Sequence, residues 1–62
     1  MLNVGEVVLD RKTGGTGLVI NRWSDVTVEI DLTLPNGNQM IVMRSTADLE
    51  RMGRLKSRRG RW

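Results

Sequence analysis

The clearest periodic signal in the chain is Val26-Thr27-Val28-Glu29-Ile30-Asp31-Leu32, where apolar and polar residues alternate without a fault. A period of two belongs to a strand with one buried face, so Val26, Val28, Ile30 and Leu32 are expected inward and Thr27, Glu29 and Asp31 toward solvent. Upstream, Gly5-Glu6-Val7-Val8-Leu9-Asp10 is an apolar run too short for a helix with a buried face, and it predicts the first strand. Leu18 to Trp23 predicts the second. Between them, Arg11 to Gly17 holds three glycines in four residues. Gly14 and Gly15 are expected to make the turn, and Gly17 to mark a bulge or a close backbone approach. Ser24-Asp25 is a weaker turn signal before the alternating strand.

Leu34-Pro35-Asn36-Gly37-Asn38 is the strongest hairpin signal. Proline presets the first central position of a type I turn, Asn36 suits the second, and Gly37 takes the left-handed position of a G1 bulge. The returning strand, Gln39 to Arg44, contains four consecutive apolar residues, so periodicity does not say which of Met40, Ile41, Val42 and Met43 face inward. Ser45 or Thr46 can cap a single 3-10 or α-helical turn. A final strand is expected from Leu49 to Met52, with order ending at Gly53. The division is therefore a folded unit over residues 1–53 and a tail over 54–62, which is highly charged and expected to be flexible.

At 62 residues there is room for one domain, whose core supplies only about 3 to 5 kcal/mol of net stability. Cysteine and histidine are both absent. That removes disulfides, the usual zinc ligand sets, the cysteine nucleophile and the side chain that titrates near neutral pH. With no nucleophile and base to anchor an active site, the expectation is a non-enzymatic protein without a cofactor. No apolar run approaches the roughly 18 residues of a membrane span, and the N-terminus lacks a basic segment followed by an apolar one, so a cytoplasmic protein is expected.

The net charge of +3 conceals a division. Residues 1–50 carry four basic groups (Arg11, Lys12, Arg22, Arg44) and seven acidic ones, a net of −3. Residues 51–62 carry Arg51, Arg54, Lys56, Arg58, Arg59 and Arg61 with no acid, a net of +6. An acidic body with a basic end points to a nucleic-acid or acidic-surface contact through that end.

Taken together, Val4-Gly5-Glu6-Val7-Val8, Gly14-Gly15-Thr16-Gly17-Leu18-Val19, Pro35-Asn36-Gly37 and Ala47-Asp48-Leu49-Glu50 resemble the small SH3-like barrel of the KOW and Tudor-like type. The resemblance covers about the first fifty-two residues. It implies an all-β fold: five antiparallel strands, strongly bent, with one short 3-10 turn before the fifth. Small bacterial and phage barrels of this type occur in transcription and translation factors, in ribosomal proteins and as accessory subunits, which implies binding rather than chemistry. Fold alone does not choose among such roles.

The candidate site residues follow from charge and aromaticity. The glycine loop lacks the Gly-Lys-Ser/Thr of a nucleotide loop and leads into a strand, so it reads as a turn, with Arg11 and Lys12 at its mouth as the reason to consider phosphate. Trp23 is expected to close the core, and Met40, Met43 and Met52 to fill it. Glu29 and Asp31 read as a solvent face rather than a metal site. The tail differs: Arg58-Arg59-Gly60-Arg61-Trp62 sets guanidinium groups beside a glycine and an aromatic, which suits phosphate forks and base stacking on RNA or DNA. The expected nucleic-acid contacts are thus Arg51, Arg54, Lys56, Arg58, Arg59, Arg61 and Trp62, with Arg11 and Lys12. Six cations meeting duplex phosphates would give a log K against log salt slope of about −5. The alternative is a protein-interaction module whose acidic body docks on a larger complex, such as a transcription or translation component or another host enzyme.

Overall fold

A computed structural model describes residues 2–54. Five strands form one antiparallel sheet: β1 (Glu6–Asp10), β2 (Thr16–Arg22), β3 (Thr27–Thr33), β4 (Gln39–Ser45) and β5 (Leu49–Arg54), with a 3-10 turn at Thr46–Asp48. The strand order is β4-β3-β2-β1-β5, so β4 and β5 are the edges and the sheet is not closed. The chain is all-β, as the alternation and turn chemistry require.

Register places the core on one face. Val8 lies opposite Gly17, Gly17 opposite Leu32, Val19 opposite Ile30 and Ile30 opposite Val42. Val8, Val19, Val28, Ile30 and Leu32 are buried there with Leu2 and Leu49, and Leu34 and Val42 pack against them. Gly17 is a close approach rather than a bulge: a Cβ on it would stand 2.9 Å from Ile30 Cδ1. The bulges fall elsewhere, between Val19 and Asn21 on β2 and between Val7 and Val8 against β5.

The turns follow their residues. Gly14 takes φ +81° and Gly37 φ +93°. In the Pro35-Asn36 hairpin the Gly37 amide donates to Leu34 O (2.8 Å) and the Leu34 amide to Asn38 O (2.7 Å), the type I turn with a G1 bulge. Ser45 caps the 3-10 turn, its Oγ accepting from the Ala47 amide.

Three expectations are corrected. Val26, 63% exposed, is not in the core, because β3 begins one residue later and Val26 lies in the preceding turn. Trp23 is 61% exposed. Simple alternation from Val19 would turn Trp23 inward, but the extra residue Ile20 reverses the faces, setting Asn21 opposite the outward Glu29 and Arg22 opposite the inward Val28. Met40, Met43 and Met52 are exposed rather than core filler. Met40 and Met43 sit on edge strand β4, and Met52 is the additional residue where Val7 pairs with Gly53 and Val8 with Arg51. The last strand runs on through Gly53, which takes φ +128° opposite Val7, to Arg54. The expected flexible tail lies almost wholly outside the described residues.

Candidate functional site

On β1 the inward positions are Glu6, Val8 and Asp10, so two carboxylates enter the buried face. A buried carboxylate is costly unless paired. Asp10 is fully buried and receives Arg44 Nε at 3.0 Å and Nη2 at 3.3 Å, Thr13 Oγ1 at 2.6 Å and the Lys12 amide at 3.4 Å. Burial pushes its pKa up, but the hydrogen bonds from Arg44 and Thr13, the Arg44 charge and the Lys12 amide outweigh burial and hold it below the ordinary carboxylate value. Glu6 accepts Arg51 Nε at 3.0 Å and the Asn3 amide at 2.8 Å. The Asp10 to Arg44 pair ties the end of β1 to edge strand β4. Neither pair was legible in the sequence, because nothing local marks a carboxylate as inward-facing.

These contacts bear directly on the expected nucleic-acid residues. Arg51 is held by Glu6, and Arg11 pairs with Glu50 at 3.6 Å while donating to Ala47 O at 3.4 Å. Arg22 pairs with Asp25 at 3.8 Å. Each of the four arginines from Arg11 to Arg51 therefore has a carboxylate partner. Lys12 is exposed, and its ammonium makes no ion pair with a described residue. The Gly14 amide donates to Asp10 O (2.7 Å) and the Gly15 amide to Thr13 Oγ1 (3.2 Å), so the turn uses its own donors and leaves no anion nest. Arg54 ends β5. Lys56, Arg58, Arg59, Arg61 and Trp62 lie outside the described residues.

The face opposite the core has a different character. Cross-strand register sets Val7, Leu18, Asp31 and Ile41 in one row, with Glu29 and Met43 in the next. Trp23 Nε1 donates to Glu29 Oε1 at 3.3 Å. A shallow depression of about 210 Å³ lies here, lined by Val7, Thr16, Gly17, Leu18, Asp31 and Thr33. With a carboxylate in its wall, it is unsuited to phosphate. Among the described residues no group of three or more acidic side chains is placed to hold a metal ion, and no helix is long and apolar enough to cross a membrane.

Comparison with protein-family models, with curated proteins and with solved structures finds no match.

Proposed function

We propose that this chain is a small, non-enzymatic, cytoplasmic binding module that associates with nucleic acid through the cations of its C-terminal end. The observation that carries this reading is the segregation of available charge: the arginines of the folded part are each engaged by a carboxylate, whereas Arg54, Lys56, Arg58, Arg59 and Arg61 have no acid among them in the sequence. On this reading the sheet is a scaffold, the tail guanidinium groups meet phosphates of RNA or DNA, and Trp62 stacks on a base. Arg11 and Arg51 leave the contact set, and Lys12 stays in it. The strand order and the 3-10 turn between β4 and β5 support an SH3-like scaffold of the KOW or Tudor-like type.

The test is to replace Lys56, Arg58, Arg59 and Arg61 by Gln in the full chain and measure binding to labelled RNA and duplex DNA. Loss of binding in this variant, with Arg11→Gln unchanged, is expected. Equal binding by the variant and the parent overturns the reading.

A second reading, docking on a larger protein complex, is favoured by the exposed Trp23, Ile41 and Met43 beside Glu29 and Asp31, an apolar and acidic surface suited to a basic protein patch. Affinity capture from nuclease-treated lysate checks it. Absence of any stoichiometric protein partner counts against it.

A further inference from the structure

The strand β4 is an open edge, and natural sheets protect such edges with charge, proline or a covering segment. Among the described residues this one has none of those at its centre. Ile41 is 61% exposed and Met43 50%, and the one charged side chain on the strand, Arg44, is bound by Asp10. The direction of the free backbone groups follows from the hairpin. Leu34 and Asn38 are hydrogen-bonded across the turn, and bonded pairs alternate with unbonded ones in an antiparallel ladder. Counting from there, Met40, Val42 and Arg44 point their backbone groups at β3, and Gln39, Ile41, Met43 and Ser45 point theirs at the open edge.

We infer that β4 pairs with β4 of a second copy of this chain, antiparallel about a two-fold axis at Val42. This goes beyond the proposed nucleic-acid role and is independent of it. The sequence of the strand is self-complementary in this register. Ile41 meets the partner's Met43, Gln39 meets the partner's Ser45, and every one of these positions has its backbone groups aimed outward, giving about eight main-chain hydrogen bonds. Met40 lies opposite the partner's Arg44, which Asp10 has already neutralised, so no like charges are opposed. An axis at Ile41 would set Met43 against Gln39, and an axis at Met43 would set Ile41 against Ser45. Only the axis at Val42 pairs all seven residues and matches apolar with apolar. The result is one ten-stranded sheet. A single strand edge is a small interface, so the dimer is expected in the micromolar range.

The experiment is sedimentation of the full chain over a concentration series, together with Ile41→Lys and, separately, single cysteines at Val42 and Gln39 in this cysteine-free chain. Concentration-dependent dimer is expected, with Ile41→Lys raising the dimer Kd at least about tenfold. Val42→Cys should form an intermolecular disulfide rapidly, since unbonded opposite residues lie about 4.5 Å apart between Cα atoms. Gln39→Cys should not, because the two copies of that residue would be roughly 20 Å apart. A wild-type chain that stays monomeric to about 1 mM overturns the proposal and leaves the edge to a strand of another protein. Equal cross-linking at Gln39 and Val42, or an undiminished dimer of folded Ile41→Lys, overturns it as well.

Discussion

Asp10 gathers contacts from two separate parts of the chain, since it receives Arg44 from β4 and Thr13 and Lys12 from the glycine turn. Replacing Arg44 by Ala leaves a buried carboxylate without its cation and should cost about 3 kcal/mol of stability, measured by urea unfolding. A cost under about 0.5 kcal/mol would place the pair among the surface bridges that contribute little. Because the folded pKa of Asp10 is lowered, the folded state binds this proton less tightly than the unfolded state. Its stabilising contribution is complete above the unfolded carboxylate value of about 4 and disappears as pH falls through the lower folded value. The stability gap between the parent and Asp10→Asn should therefore be constant near neutrality and narrow below about pH 4. A gap that widens on acidification would contradict the assignment. Gly15 is a second residue-scale constraint. A Cβ there would meet Thr33 O and the Leu34 backbone, so Gly15→Ala should destabilise by about 2 kcal/mol or more by the same measurement.

At the scale of the element, turn chemistry was the most legible part of the sequence. Pro35, Asn36 and Gly37 specify their hairpin locally, and Ser45 specifies the cap of the 3-10 turn, because each acts on backbone within a few residues of itself. Ser45→Ala should cost about 0.5 to 1 kcal/mol, read as a lowered denaturant midpoint with unchanged slope. The strands themselves were legible to within one or two residues. What was not legible was the facing of residues beyond a bulge. Ile20 shifts Trp23 outward and Met52 is the extra residue of β5, and both depend on a partner strand distant in sequence. The inward carboxylates Glu6 and Asp10 were hidden for the same reason: their partners Arg51 and Arg44 come from β5 and β4. On β4, four apolar residues in a row gave no period, and the structure resolves them as both faces of an open edge.

For the whole molecule, the acidic body and basic end were visible from charge alone, but which cations are available was not. Ion pairs engage Arg11 with Glu50 and Arg51 with Glu6, and the proposed reading therefore rests on Lys12 and the cations from Arg54 onward. Five cations from Arg54 to Arg61 meeting duplex phosphates contribute about −4.5 to the slope of log K against log salt, and Lys12 would add about −0.9. The measurement that tests this account most directly is the binding of the full chain to a labelled DNA duplex by fluorescence anisotropy over a range of salt. A slope of about −4.5 to −5.5, falling to about −2 or less in magnitude when Lys56, Arg58, Arg59 and Arg61 are replaced by Gln, is the predicted result. No detectable binding at low salt, or a slope that the replacements leave unchanged, would contradict it.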